Sequence, residues 1–423
     1  MKKSLSACVS ILSLAVISSG GAGAANPVIT WDEIAINTAV AASQTLSPGS
    51  NTAGGAAIYL SYVHLAVYNA VNSIEKRFQP YGAGFSAPVG ASTEVAAIAA
   101  AYSTLAYYFP GDSIALASQY AASLATIPDS PAKSDGIVAG QAAANGIIGL
   151  RLGDGRGANV PYVYPSSPVA GAWMPTPPAF LAPQTPWVGQ MTPFTMATAS
   201  QFLPDEGPPA LTSSEWADDY NQTKTFGSVN STVRTPEQTE TGLFWTEQTA
   251  RQYARAFRAL AIARGLDLNS SARLFAMLWT SYADAFIGCM NAKYHFGFWR
   301  PVTAIRNGSI DGNDATVADA GWTPLAATPN HPEYPAAHGC VTGAVANTLK
   351  NYFNTPNVSV IVSSTVTNTT HSFSSVRDLE NEVEFARIYA GFHYHHSLVQ
   401  GFDLGRKVSQ QAAREFFQPV SQH

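Results

Sequence analysis

Charged residues are scarce in this sequence. Asp, Glu, Lys and Arg make up 12% of its 423 residues, about half of the share that is usual in a globular protein. Acidic residues outnumber basic ones, 28 to 23, and this excess of negative charge argues against a surface that binds nucleic acid. A cluster of cations in such a chain therefore needs an explanation.

Membrane-spanning segments are missing from the sequence after its start. Residues 1–24 combine two lysines, an apolar stretch and a small-residue triplet that ends at Ala24, which is the pattern of a Sec-type signal peptide. No later segment supplies the roughly 18 consecutive apolar residues that a spanning helix needs. We therefore expect residues 1–24 to be removed and the mature protein to be periplasmic or secreted, with no integral membrane segment.

The chain also lacks a low-complexity linker, a charge run and a fixed-period repeat. Apolar residues recur at three- and four-residue intervals through most of it, which is the helical period. Residues 359–373 are rich in Val, Ser and Thr and predict a short pair of strands. The fold class is therefore mainly α with minor β.

Residues 153–210 are rich in Pro and Gly, with aromatic residues between them. A long irregular segment of this kind forms either the lid or wall of a binding site or an ordered surface connection, and both alternatives stay open. We place it at the end of an N-terminal helical region, residues 25–210. A C-terminal helical region follows, residues 211–423.

Two of the scarce cations lie close together in KYHFGFWRP, residues 293–301. Lys293 and Arg300 are seven positions apart, which on an ideal helix is within about 20° of the same face. Pro301 disfavours helical geometry at Arg300, so we expect that guanidinium to leave from a helix end. Two surface cations would fit poorly with the aromatic residues between them, such as Phe296, Phe298 and Trp299, and we predict that both side chains approach one point.

A second candidate stretch is HPEYPAAHGCVTGA, residues 331–344. Its prolines and alanines lead into a helix that should begin near His338. The free backbone N–H groups at such a start favour an anion. His338 is either a functional group at the edge of that site or a structural histidine.

The third stretch is ARIYAGFHYHHS, residues 386–397. A straight helix would turn Arg387 and His393 about 120° from each other, but Gly391 permits a break that could bring them together. His395 and His396 make a zinc site the obvious alternative. The sequence argues against a zinc site, because no carboxylate or Cys lies at helical spacing beside these histidines.

Together the three stretches hold three cations and two histidines suited to one tetrahedral oxyanion. Arg presents forked donors to phosphate-like oxygens, and Lys adds a point charge. One His can bond to the central atom while the other moves a proton.

The order Lys-x6-Arg-Pro, Pro-x-x-His, Arg-x5-His resembles the signature of the vanadium-dependent haloperoxidases and the type 2 phosphatidic acid phosphatases. The stretches AGAWMPTPPAF, TPFTM and RTPEQTE resemble sequences of the bacterial haloperoxidase-like branch of this family. The resemblance extends over the whole mature chain. It implies a helical architecture built around two four-helix bundles.

The resemblance also implies roles for particular residues. Lys293, Arg300, Arg387 and the backbone N–H of Ala337 would bind the oxygens of vanadate, or of phosphate in the same site. His393 would be the axial vanadium ligand of a peroxidase or the nucleophile of a phosphatase. The further catalytic residues would be Lys293 and the acid/base residue His338.

Three positions depart from the family pattern. Ala336 and Ala386 replace motif serines, and Ser397 replaces the terminal Asp. Loss of a charge-assisted hydrogen bond costs on the order of 1.5–3 kcal/mol, which weakens an anion site without removing its cations. Without the motif Asp, His393 needs another orienting carboxylate; for Asp284 we consider this role, with a structural role as the alternative.

Three functions remain in contention. The first is an exported haloperoxidase that uses vanadate, hydrogen peroxide and halide. His331, seven residues before His338, stands where bromide-using members carry His and chloride-using members carry Phe, which favours bromide or iodide. The second is an acid phosphatase that attacks a phosphate ester with His393. The third is an oxyanion-binding protein that has lost catalysis. The sequence does not determine the oligomeric state, and a homodimer is one of the possibilities.

Cysteine is rare as well, with three residues in the whole sequence, of which Cys8 lies in the predicted signal peptide. Cys289 precedes Lys293 by one helical turn, and Cys340 follows His338 by two residues. Helices that bring these motif residues together should bring the thiols together. In an oxidising compartment we predict a disulfide, with two buried thiols as the alternative.

Overall fold

The computed structural model describes residues 26–420, so the predicted signal peptide lies outside the described residues. The described chain is mainly helical, as the sequence predicts, and none of its helices is long and apolar enough to cross a membrane. The helices are α1 (Pro27–Ala41), α2 (Ala53–Glu75), α3 (Thr93–Tyr108), α4 (Ser113–Ala125), α5 (Pro131–Leu150), α6 (Ser214–Gly227), α7 (Pro236–Phe244), α8 (Thr249–Ala263), α9 (Leu268–Phe296), α10 (Pro301–Arg306), α11 (Ala337–Phe353), α12 (Val376–Tyr389) and α13 (His395–Glu415).

Small residues let the N-terminal helices pack closely. The helices α2, α3 and α5 pack against one another, and a Cβ added at Gly140 of α5 would come within 2.5 Å of the Ala96 carbonyl oxygen in α3. Alanine and glycine at such positions allow backbones to approach where larger side chains would hold them apart.

The long helix α9 connects the two ends of the chain. Asp267 caps its start by accepting a hydrogen bond from the Ser270 N–H, and Gly297 ends it in a left-handed conformation with φ of 58°. It packs on α2, where the Ser61 hydroxyl donates to the Trp279 carbonyl at 2.9 Å, and also on α11 and α13. One continuous buried core therefore includes residues from both halves of the sequence.

Helices α11 and α13 lie against each other through glycines. A Cβ at Gly405 of α13 would lie 2.0 Å from the Cys340 carbonyl oxygen, and one at Gly343 of α11 would lie 2.7 Å from the Phe402 carbonyl oxygen. This contact fixes the start of α11, where His338 lies, against the start of α13.

The only strands of the described residues are β1 (Val360–Ser364) and β2 (Thr369–Phe373), an antiparallel pair in which Val360 faces Phe373. The predicted strand pair is thus confirmed. It packs against α8 and α12.

The predicted irregular segment contains only a short 3-10 helix, Pro186–Gln190. Asp284 of α9 holds it in place, because its carboxylate accepts hydrogen bonds from the backbone N–H groups of Phe194 at 2.7 Å and Thr195 at 2.6 Å. Another of its residues, Gln184, lines a cavity that His338 also lines. The segment therefore serves both as an ordered connection and as part of a cavity wall.

Candidate active site

A cavity of about 420 Å³ lies at the N-terminus of α11. Five residues singled out in the sequence line it: His331, Ala337, His338, Arg387 and His393. Other parts of its wall are apolar, with the side chains of Tyr282, Phe286, Val341 and Phe392.

Local breaks in the helices bring these side chains together. Arg300 is the extended residue before α10, with φ of −77° and ψ of 155°, so the helix end predicted from Pro301 is confirmed. Gly391 has φ of 75° between α12 and α13, and a Cβ there would lie 2.6 Å from the Gly227 carbonyl oxygen. That turn places His393 in the same cavity wall as Arg387.

Arg300 is fully buried beside the cavity and connects two of its histidines. Its NH1 atom lies 3.2 Å from His393 Nε2 and donates to the Phe392 carbonyl at 3.0 Å. Its NH2 atom lies 3.0 Å from His331 Nδ1. Arg300 therefore does not line the cavity itself but contacts side chains that do.

Lys293 is also fully buried and does not line the cavity. Its Nζ atom donates to the carbonyls of Pro332 at 2.9 Å and Glu333 at 2.7 Å. Burial, together with the nearby charge of Arg300, lowers its pKa to about 8. Lys293 thus fixes the segment before α11 and places a positive charge behind it.

Arg387 reaches the cavity from the last turn of α12. Its guanidinium lies 4.7 Å from the centre of the Phe392 ring, and its NH1 atom donates to the Trp245 carbonyl at 2.7 Å. Its Nε atom is buried without an acceptor among the described residues. Arg387 and Arg300 therefore contact the same short segment, Phe392–His393.

Because these cations are buried, a bound anion would stabilise their charged forms. Burial lowers the pKa of Arg300 to about 10 and that of Arg387 to about 9, because a charged group loses solvation in the interior. The N-terminus of α11 adds backbone donors, since Ala336 provides no side-chain cap. The unpaired Arg387 donor, the buried cations and this helix start fit a tetrahedral oxyanion such as vanadate or phosphate.

The carboxylate in contact with His393 belongs to Glu333, a residue that sequence reasoning missed. Its Oε1 atom lies 2.7 Å from His393 Nδ1, and its Oε2 atom accepts a hydrogen bond from the Ser397 hydroxyl at 2.5 Å. Of the two alternatives for Asp284, the structural one describes the structure, because that carboxylate holds the irregular segment. The available signal was that Glu333 is the only carboxylate in HPEYPAAHG.

Glu333 is fully buried, and burial raises its pKa to about 7 against the opposing effects of Lys293, Ser397 and Arg300. Burial and Arg300 hold the pKa of His393 well below its ordinary value, so the ring is neutral. The ionised carboxylate then accepts from Nδ1–H, while Nε2 keeps its lone pair and accepts from Arg300.

His338 and His331 complete the histidines of the cavity. His338 is partly exposed, and its Nε2 atom lies 2.9 Å from the Thr249 hydroxyl. Burial and Arg387 lower its pKa well below the ordinary value. Burial and Arg300 do the same for His331, so both rings are neutral and can accept a proton or a hydrogen bond.

The zinc alternative finds no support in the described part of the chain. His395 pairs with Glu384 at 2.8 Å and His396 with Glu215 at 2.9 Å, so each takes its own carboxylate. Among the described residues, no three His, Cys, Asp or Glu side chains are grouped so as to hold a metal ion.

The predicted disulfide is not formed. Cys289 and Cys340 lie next to each other, as expected from the convergence of α9 and α11, but both are free. Both are fully buried, and Cys289 Sγ lies 3.6 Å from the Pro335 carbonyl oxygen, to which it donates. The alternative of two buried thiols therefore describes the structure.

Comparison with known proteins finds similarity to the family that the motifs indicate. Residues 273–422 match the model of the VCPO second helical-bundle domain. A vanadium chloroperoxidase of Curvularia inaequalis is 30% identical over 203 residues, an alignment that covers 40% of this chain and 32% of that protein. The chain thus matches about a third of the length of this curated relative.

Solved structures resemble the chain over nearly its full length. A bacterial vanadium-dependent iodoperoxidase superposes with a TM-score of 0.77 at 20% identity, covering 93% of this chain and 98% of that one. A holo-type bacterial vanadium-dependent chloroperoxidase gives a TM-score of 0.66 at 15% identity, covering 89% and 94%. The resemblance inferred from the motifs is confirmed: residues 273–422 match the model of the VCPO second helical-bundle domain, and the chain has a fold similar to those of vanadium-dependent haloperoxidase structures.

Proposed function

We propose that this protein is an exported, vanadate-dependent haloperoxidase that oxidises halide with hydrogen peroxide. The observation that carries the proposal is the ring of His393, whose Nδ1 faces a carboxylate and whose Nε2 faces a guanidinium in a cavity wall shared with Arg387 and His338. A neutral imidazole that carries its lone pair on Nε2 is what a metal ligand requires. The match to a vanadium chloroperoxidase supports this choice.

The cations of the site would bind and orient the cofactor. Vanadate, when bound, supplies a Lewis acid that activates hydrogen peroxide towards halide. Arg387 and Ala337 line the cavity; the guanidinium and the Ala337 backbone N–H would donate to the vanadate oxygens, with Arg300 beside them. Lys293 would add positive charge from behind the carbonyls of Pro332 and Glu333.

His338 would move the proton. Because burial and Arg387 keep its imidazole neutral, its ring can accept a proton from hydrogen peroxide at physiological pH. The Thr249 hydroxyl, 2.9 Å from Nε2, would hold the ring in place and stabilise one of its tautomers. The half-buried position at the cavity wall suits a group that must exchange protons.

The halide proposed is bromide or iodide. His331 lines the cavity, and its Nδ1 atom is occupied by Arg300 at 3.0 Å. A neutral imidazole edge and apolar neighbours such as Phe392 favour a large, weakly hydrated halide over a small, strongly hydrated one. The structural likeness to a bacterial iodoperoxidase agrees with this choice.

The decisive assay uses one purified preparation, with and without orthovanadate. We expect peroxide-dependent bromination and iodination that require vanadate, and slower chlorination. Hydrolysis of phosphate esters without any halogenation would instead assign the phosphatase function. Binding of vanadate or phosphate with neither activity would assign an oxyanion-binding protein, and either result would overturn the proposal. Recovery of the mature chain from the periplasm or the medium tests export.

A further inference from the structure

We propose that Glu333, anchored by Ser397, is the positioning residue that sets the tautomer and basicity of His393, in place of the Asp missing from the third motif. This inference rests on the proposed function for the role of His393. It assigns a function to a residue outside the three family motifs and explains how the chain tolerates Ser397.

Every polar atom of Glu333 is held. Its carboxylate is fully buried, with Oε1 at 2.7 Å from His393 Nδ1 and 3.2 Å from the Tyr394 backbone N–H, which donates to it. Its Oε2 atom accepts from the Ser397 hydroxyl at 2.5 Å. A carboxylate with three donors in a buried site has one orientation, and so does the imidazole that it contacts.

The backbone of Glu333 is fixed as firmly as its side chain. Its N–H donates to the Phe298 carbonyl at 2.8 Å, and its own carbonyl accepts from Lys293 Nζ at 2.7 Å. Three residues further along the chain, the Ala336 N–H donates to the Ser397 carbonyl at 2.9 Å. The residues around the first motif thus hold the loop that presents Glu333 to the third motif.

The position of Ser397 explains the departure from the family pattern. Ser397 lies four residues after His393, where the motif carries Asp. Its hydroxyl does not contact the imidazole but donates to Glu333, which does. Compared with the motif, the negative charge therefore lies on the loop before α11 and not on α13, and the Ser397 hydroxyl anchors it.

The consequence is chemical as well as geometric. A carboxylate on Nδ1–H fixes that proton, leaves the lone pair on Nε2 and makes the ring a better metal ligand. It also brings negative charge beside Arg300, which donates to Nε2 at 3.2 Å. Removing the charge should therefore weaken bonding through Nε2 while making the pocket more positive.

The test compares vanadate with phosphate. Calorimetric titrations above pH 7 would measure both dissociation constants for the wild type and for Glu333→Gln, which keeps the side-chain shape. We expect vanadate, which bonds to His393, to bind about 10–100-fold more weakly in the variant. Phosphate, held by charge alone, should bind equally well or better. Parallel changes in both constants, or unchanged vanadate binding, would contradict the proposal.

Two further variants separate positioning from stability. Asp284→Asn removes another fully buried carboxylate, one that holds the irregular segment; it should lower the melting temperature but leave the ratio of the two constants unchanged. Glu333→Gln/Ser397→Asp returns a charge to α13, where it can accept from the Gln amide, and should recover part of the vanadate affinity. Failure of this rescue would count against Ser397 as the anchor.

A cofactor-free measurement keeps this inference apart from the proposed function. Nitrogen-15 NMR of histidine-labelled protein at pH 8 should show His393 neutral, with its proton on Nδ1. A proton on Nε2 would overturn the role of Glu333 whatever the enzyme does. A protein that has the Nδ1–H form but no vanadate-dependent halogenation would instead refute the proposed function.

Discussion

His393 separates a catalytic pocket from one that only attracts anions. His393→Ala removes the proposed vanadium ligand but leaves Arg300 and Arg387 buried in place. We expect halogenation to vanish while phosphate still binds, more weakly. His338→Ala should instead keep anion binding and slow turnover by about 10²–10⁴-fold, the usual contribution of an acid/base group. Full vanadate-dependent activity in His393→Ala would show that this residue is misassigned.

The pH dependence of cofactor affinity should depend on Glu333. Because burial raises the pKa of Glu333 to about 7, its charge is lost as the pH falls through that value, and the lone pair at His393 Nε2 is no longer fixed. Vanadate affinity measured between pH 6 and 8.5 should therefore rise with pH in the wild type. Vanadate's own protonation affects both proteins, so Glu333→Gln, which cannot titrate, should show a flatter profile. Identical profiles would contradict this account.

For individual residues, the sequence predicted the cations of the site but not Glu333, the carboxylate that contacts His393. Lys293, Arg300 and Arg387 could be identified because charge is rare in the chain. Glu333 contacts His393 across 60 positions of sequence, and no local pattern indicates which carboxylate folds onto which histidine. Spacing also suggested that Lys293 would line the pocket, whereas its donors are used by two backbone carbonyls.

At the scale of the helices, the close contact of α11 and α13 predicts that alanine substitutions at two glycines have opposite effects on the free energy of unfolding. Gly405→Ala would place a Cβ 2.0 Å from the Cys340 carbonyl oxygen and force the helices apart, at a cost of roughly 1–3 kcal/mol. The matched control is Gly146→Ala in α5, where no atom lies within 4 Å of the new Cβ. That change should stabilise the helix by about 0.5–1 kcal/mol. Urea unfolding measures both, and equal effects would contradict the packing described.

The strand pair should make stability depend on pH. His371 of β2 lies 2.7 Å from Glu382 in α12 and 3.1 Å from Glu240 in α7. The hydrogen bond to Glu382 raises the pKa of His371 above its usual value. The folded state therefore gains stability from protonated His371 below the unfolded pKa, and loses it as the pH rises through the higher folded pKa.

We expect the free energy of unfolding to fall between pH 6 and pH 8.5, and His371→Gln to reduce that fall. Denaturant titrations at both pH values measure the difference. A variant whose pH dependence equals that of the wild type would show that other groups are responsible.

Helix ends could be predicted well at the element scale. Pro301 indicated that Arg300 lies outside a helix, and Gly391 indicated the break before His393; both have direct steric causes. The disulfide could not be predicted in the same way. The motif spacing predicted that Cys289 and Cys340 lie close together in the fold. Closeness alone does not determine whether two thiols form a disulfide.

At the scale of the whole molecule, helical periodicity predicted the fold class because apolar residues recur at helical spacing through most of the chain. The division at residue 210 remains a prediction about the chain's organisation. The core is continuous across it, since α9 packs on α2 as well as on α11. The irregular segment could be located from its Pro and Gly content, but its attachment to Asp284 depends on a contact about 90 residues distant.

The most direct test of the central claim is a titration of the vanadate-free protein with orthovanadate, following iodination or bromination at fixed hydrogen peroxide. Because one set of cations would hold either anion, the rate should rise to saturation with vanadate, and added phosphate should raise the vanadate concentration needed without lowering the maximum. A halogenation rate that is independent of vanadate, or one that phosphate does not affect, would contradict the account.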